Sequence, residues 1–120
     1  MSKTPKVAVL LAGCGHLDGA KVRAAVLTLL ALDQQGASAQ CVAPNAPQHG
    51  VVNHVTGKPV PGAVRNILEE ASRIARLGKC MDLANARVED FDALAVGRYE
   101  SAVDGSVIAT RRKSFWCAAT

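Results

Sequence analysis

Unbroken apolar runs and apolar positions at helical spacing succeed one another along this chain, and the changes of pattern mark its elements. Val7-Ala-Val-Leu-Leu-Ala12 is an unbroken apolar run closed by Gly13, the pattern of a parallel strand covered on both faces. Val22, Ala25, Val26, Leu29, Leu30 and Leu32 then recur at helical spacing. The pattern predicts a helix near 19–35, with Asp18 as its N-terminal cap and Gly36 as its stop. Ala37–Ala43 reads as a second short strand closed by Pro44, which completes a β-α-β unit whose crossover is right-handed.

Residues 44–62 hold four of the five prolines, three glycines, His49 and His54. That is loop composition, with room for a short extended piece at Val51–Val55. A second helix is predicted over 63–77, with Val64, Ile67, Leu68, Ala71, Ile74 and Ala75 on one face, and Gly78 beyond its end. Arg65, Glu69, Glu70, Arg73 and Arg76 lie opposite or beside that face. Phe91–Val96 is a third strand candidate. The order implies an α/β layered fold around a parallel sheet of three to four strands. After Val96 the character changes: residues 97–120 hold three of the four aromatics and the basic run Arg111-Arg112-Lys113. Val103–Thr110 is one further strand candidate there. We therefore divide the chain into 1–96, carrying the layered fold, and 97–120, a divergent tail.

At 120 residues and 12.5 kDa there is room for one domain. No apolar run approaches the ~20 residues that span a bilayer, so no membrane partner is expected. Ala supplies 21 residues and Val 14, against four aromatics. Such a core buries little area per residue, and the chain is expected to lean on a second copy of itself or on another protein. The net charge of +4 is spread thinly outside Arg111–Lys113, which argues against nucleic acid as a partner.

The cysteines at 14, 41, 80 and 117 form no Cys-x-x-Cys pair, and no histidine sits at ligand spacing from them. Neither a zinc site nor a redox dithiol is read from that spacing. Reduced cysteines in a cytoplasmic protein are the expectation. Leu11-Ala12-Gly13-Cys14 also resembles a lipobox, which would anchor the chain through Cys14. Its apolar stretch is shorter than a signal-peptide core, and the strand reading is preferred.

Gly13-Cys14-Gly15-His16-Leu17-Asp18-Gly19 joins the first strand to the first helix. Glycines there permit a tight turn and bring backbone N–H groups toward an anion. Gly13, Gly15 and Asp18 are accordingly the candidate binding residues. The spacing is not that of a dinucleotide loop, and Pro44-Asn45 stands where a ribose-holding acid belongs, so no cofactor is implied. Cys14 is a candidate nucleophile just beyond a strand end, with His16 the nearest base in sequence. His49 and His54 read as solvated or structural. Asn53-His54 and Arg65-Asn66 are candidates for a polar cluster holding the loop to the second helix.

Several separated blocks together carry a resemblance. KVAVLLAGCGHLDGAKVRAAVLTLLALDQQGA, CVAPNAPQHGVVNHVTGKPV, RNILEEASRIAR and DLANARVEDFDALAV, spread over about residues 6–96, resemble the first half of the ElbB-type glyoxalases. These are also described as sigma cross-reacting or amidotransferase-like isoprenoid biosynthesis proteins of the ThiJ/PfpI superfamily. The resemblance implies a flavodoxin-like, class I glutamine amidotransferase-like three-layer sandwich, longer than this chain and often dimeric. It implies cofactor-free chemistry on a small dicarbonyl, glyoxal to glycolate: a thiolate adds to the aldehyde and a nearby carboxylate shuttles the proton.

Three departures set the expectation for this chain. The family's acidic residues after Asp-Gly are replaced by Lys21, Arg23 and Ala24; Gly97-Arg98-Tyr99-Glu100 does not continue into the family's Pro-Gly-Gly-Phe-Gly-like turn; and the cysteine elbow is missing. Phe115-Trp116-Cys117 echoes that elbow only faintly, leaving Cys117 a weak candidate beside Cys14. The chain is therefore read as a truncated and inactive relative. The alternative is a small interaction or ligand-binding module that pairs with itself or with a full-length relative.

Overall fold

Val7, Val9 and Leu11 project to one side of the first strand while Ala8 and Leu10 project to the other, and all five are buried. An apolar run covered on both faces is what a central strand requires. The computed structural model of the chain describes residues 3–96, together with the backbone of Tyr99–Glu100 and Trp116–Cys117. The order is β1 (Lys6–Leu10), β2 (Gly19–Ala20), α1 (Val22–Gln34), β3 (Ser38–Ala43), β4 (Val52–Asn53), β5 (Lys58–Pro59), α2 (Ile67–Ala75), β6 (Cys80–Asp82), β7 (Ala93–Val96), β8 (Tyr99–Glu100) and β9 (Trp116–Cys117). Two single turns of 3-10 helix, Leu83–Asn85 and Val88–Asp90, link β6 to β7.

The main sheet is parallel in the order β6-β3-β1-β7-β9. Val9 of β1 sits in register with Cys41 of β3 and with Ala95 of β7. The strand order reverses at β1, with β3 on one side and the much later β7 on the other. This is the expected α/β fold, flavodoxin-like in architecture. The Val103–Thr110 strand candidate and Arg111–Lys113 lie outside the described residues.

Both helices pack on one face of the sheet. Val7, Val9, Leu11, Cys41 and Ala43 meet Ala25, Leu29 and Leu32 of α1 and Ile67, Ala71 and Ile74 of α2. Ile67 and Leu11 are wholly buried, each contributing about 1.5–3 kcal/mol. On the opposite face Ala8, Leu10 and Val42 pack against Leu83, Ala86 and Phe91 of the β6–β7 connection, with Met81, Leu94 and Val96 beside them.

Several expectations need correction. α1 starts at Val22, with Lys21 as its N-cap and no side-chain cap. Asp18 does not cap it, because the carboxylate is drawn into the loop interior. α2 starts at Ile67, where the Asn66 side chain accepts from Glu69 N–H at 2.9 Å. The preceding turn is held out of the helix, since the Arg65 carbonyl accepts from Gln48 N–H at 2.7 Å. Val64 is consequently exposed. α2 also ends before Gly78, at Arg76, whose φ of +76° breaks the helix. The apolar face of α1 is wider than the sheet covers: Ala25 is buried, but Val22, Val26 and Leu30 are exposed.

Candidate functional site

The loop from Gly13 to Gly19 leaves the carboxyl end of β1 at the point where the strand order reverses. Open α/β sheets place their ligands there. The loop folds back tightly on itself. Gly15 N–H donates to the Ala20 carbonyl at 3.0 Å, Ala20 N–H to the Ala12 carbonyl at 3.2 Å, and Val22 N–H to the Gly15 carbonyl at 3.2 Å. Gly19 adopts φ +153°, and a Cβ there would stand 2.9 Å from both the Ala12 carbonyl and the Cys14 nitrogen. Only glycine fits without backbone movement. Gly13, at φ +90°, leaves the space that the Gln48 carboxamide fills, while Gly15 packs against the Asp18 carboxylate.

Asp18 organises this knot. Its side chain is 2% exposed. Oδ2 accepts from Val52 N–H at 3.0 Å, and Oδ1 accepts from His16 N–H at 3.4 Å and contacts His54 Nε2 at 2.8 Å. Burial pushes the carboxyl pKa up, but the Val52 N–H, His54 and the His16 N–H outweigh it and hold the group below its ordinary value. The carboxylate is ionised at neutral pH and already engaged. Gln48 ties the same loop from outside, its Nε2 donating to the Asp18 carbonyl at 2.7 Å and the Ala12 carbonyl at 3.4 Å. Residues 44–62 thus clamp the β1–α1 loop through Gln48, Val52 and His54.

Cys14 is half-buried on the α2 side of the loop. Burial pushes its thiol up, and the Glu70 and Asp18 carboxylates push the same way, more than offsetting Arg73 and Arg65. A thiol in that setting stays protonated at neutral pH. The expected base is not what the loop supplies: the His16 side chain is exposed, and His54, the histidine drawn into the network, is committed to Asp18. The polar cluster linking loop to α2 also differs from expectation. Asn66 Nδ2 donates to Asn45 Oδ1 at 2.8 Å, whereas the Asn53 carboxamide accepts from Val55 and Thr56 N–H within its own hairpin. Cys117 contributes its backbone to β9 beside Ala95, and its side chain lies outside the described residues. Gln48 and the Asp18–His54 pair carried no sequence signal, since they sit in a loop without periodicity.

On the far side of the loop a cleft of ≈ 660 Å³ opens between Gly15, His16, Lys21, Val22, Arg23 and Leu27. Cationic groups at its rim and apolar walls suit a small polar molecule with electron-rich oxygens.

A parallel sheet reversing at its first strand, helices packed on one face, and a glycine-rich loop at the reversal make a flavodoxin-like α/β architecture. The solved isoprenoid biosynthesis protein with amidotransferase-like domain from Ehrlichia chaffeensis superimposes with a TM-score of 0.75 and 48% sequence identity, over 78% of this chain and 43% of that one. The human glutamine amidotransferase-like class 1 domain-containing protein 3, mitochondrial, is 44% identical over 88 residues, 73% of this chain and 32% of that protein. The rat ES1 protein homolog, mitochondrial, is 40% identical over 88 residues, 33% of its length. The homologues of this chain are thus glutamine amidotransferase-like class 1 domain proteins, and the chain spans about a third of the length of these curated relatives. No protein-family model matches the chain. Among the described residues no helix is long and apolar enough to cross a membrane.

Proposed function

We propose that this chain forms the β1–α1 side of an ElbB-like, ThiJ/PfpI-type fold and has no glyoxalase turnover of its own. The observation that carries this reading is the state of the two candidate groups in the loop. The Asp18 carboxylate is held by Val52, His54 and His16 and its side chain is buried away from any substrate. The Cys14 thiol is protonated, with carboxylates rather than a base acting on it. A nucleophile needs the opposite arrangement, a lowered thiol pKa or an adjacent base. In this reading 1–96 is the amidotransferase-like portion and 97–120 a divergent tail. A small dicarbonyl would occupy the cleft beside Arg23 without being turned over, and no cofactor takes part. The reading keeps the chain in a reducing, cytoplasmic setting.

Incubating the purified chain with glyoxal and measuring glycolate tests the proposal. Conversion is expected to be absent or within about a hundredfold of background, at the floor of what a positioned acid or base contributes. Robust glycolate formation that disappears in Cys14→Ala or Cys117→Ala would overturn it and name the nucleophile.

A second reading, an interaction module that associates with a copy of itself, is favoured by α1. Val22, Val26, Leu27 and Leu30 are 40%, 48%, 61% and 49% exposed on one side of that helix, a run of apolar surface that monomers usually cover. Sedimentation at micromolar concentration is expected to show a dimer or larger species, dispersed by Leu27→Glu. A compact monomer that melts cooperatively would remove this reading.

A further inference from the structure

Cys41 and Cys80 are separated by 39 residues in sequence, yet they are direct register partners on the adjacent parallel strands β3 and β6. Register partners in a parallel pair point to the same face, and both cysteines belong to the cluster under the helices. Neighbouring strands lie ~4.8 Å apart, inside the ~4.4–6.8 Å that separates the Cα atoms of a disulfide. Both thiols are free. Cys41 is buried, while Cys80, on the edge strand of the sheet, is only partly so.

We propose that Cys41 and Cys80 are a redox modification site, closing to a reversible cross-strand disulfide when the chain meets a peroxide. Cys80 is the entry point. Its sulfur attacks one peroxide oxygen, the O–O bond breaks, and Cys80 sulfenic acid and water result. The Cys41 sulfur then attacks the sulfenic sulfur; the S–S bond forms as S–O breaks, and the departing hydroxide takes the Cys41 proton as a second water. The two thiols are oxidised, and the peroxide is reduced to two waters.

The setting makes the closure slow and reversible rather than spontaneous. Burial and the neighbouring Cys41 push the Cys80 thiol up to about 11, against a smaller opposing effect of the Ser72 hydroxyl. Few thiolates therefore exist at neutral pH, and thiolate is the reacting form. Parallel strands also hold their Cβ atoms farther apart than the ~3.8 Å a relaxed disulfide prefers, so β6 must be drawn toward β3. β6 has three residues and a neighbour on one side only, which lets it move. A bond closed under strain is the readily reduced kind.

The test treats the full chain with hydrogen peroxide and then blocks the remaining thiols for mass measurement and peptide mapping. The expected product has lost two hydrogens, links the Cys41 and Cys80 peptides within one chain, and reverts with dithiothreitol. Its rate of formation should rise about tenfold per pH unit between neutrality and the thiol pKa. Cys80→Ser should abolish the product. Where that variant does not fold, the wild-type map decides alone. Linkage of either cysteine to Cys14 or Cys117, linkage between chains, or stepwise oxidation of single cysteines would overturn the proposal. So would an unlinked Cys41 and Cys80 under peroxide that has consumed Cys14.

Discussion

Removing the Asp18 carboxylate should unseat the whole β1–α1 loop. In Asp18→Ala the Val52 N–H, bonded at 3.0 Å, loses its acceptor, and His54 loses its 2.8 Å partner. A hydrogen bond to a charged acceptor is worth about 1.5–3 kcal/mol. The His54 contact is discounted toward about 1 kcal/mol, because that side chain is 49% exposed and solvent replaces much of what is lost. The His16 N–H, at 3.4 Å, adds little. The loss therefore comes to about 2.5–4 kcal/mol, a large share of the ~5–15 kcal/mol that holds a domain folded. Asp18→Asn keeps the shape and one acceptor, and should cost about 1–2 kcal/mol.

Because each kcal/mol moves a small domain's Tm by ~4–8 °C, Asp18→Ala should melt at least ~10 °C below the parent by far-UV circular dichroism. The acid limb provides a second readout. The carboxyl is held below its usual 3.8 in the folded chain. Its contribution is then complete above the unfolded value and disappears as pH falls through the folded one. The parent should lose stability over that acid window, and Asp18→Asn should lose less. An unfolding free energy for Asp18→Ala within ~0.5 kcal/mol of the parent, with an unchanged acid limb, would show that the loop does not depend on this carboxylate.

Gly19→Ala should cost about 1–3 kcal/mol from backbone strain alone, and more because its Cβ meets the Ala12 carbonyl and Cys14 nitrogen at 2.9 Å. Chemical denaturation with an unshifted midpoint would refute that account of the turn. Alkylation of Cys14 followed by peptide mass should show a half-maximal pH above the ordinary 9.0 in the folded chain, falling back in urea. A folded midpoint below 9.0 would instead mark an activated thiol, contrary to the proposed absence of turnover.

The elements with many apolar positions were legible in the sequence. Val7–Ala12 has an unbroken run and α2 a clean helical face, and both lie within a few residues of where the periodicity placed them. β6 was not legible. Cys80–Asp82 is too short to show a period, and it becomes a strand only because β3 presents an unpaired edge beside it. α1 misled in the other direction: a broad apolar face reads as core, yet sheet and α2 together cover only its Ala25, Leu29 and Leu32 side. At the site, glycine spacing identified the loop but not its binding partners. An aspartate just before a helix has two outlets, the helix N–H groups or a neighbouring loop. The choice depended on where residues 48–54 returned in space, a tertiary fact that local pattern does not hold.

That choice also links stability to chemistry. A carboxylate at the switch point of an α/β sheet serves a reaction only if its lone pairs face the ligand. Here the lone pairs of Asp18 face Val52 N–H, His54 and His16 N–H, and the side chain is 2% exposed. Freeing it would cost the same few kcal/mol that close the loop. At the helix entrance that faces the cleft, the chain carries Lys21 and Arg23. The acid is thus spent inside the loop and the outward surface is cationic. On the proposed reading such a rim attracts electron-rich oxygen while the loop's one carboxylate is closed off from it, an arrangement that supports holding a ligand without turnover.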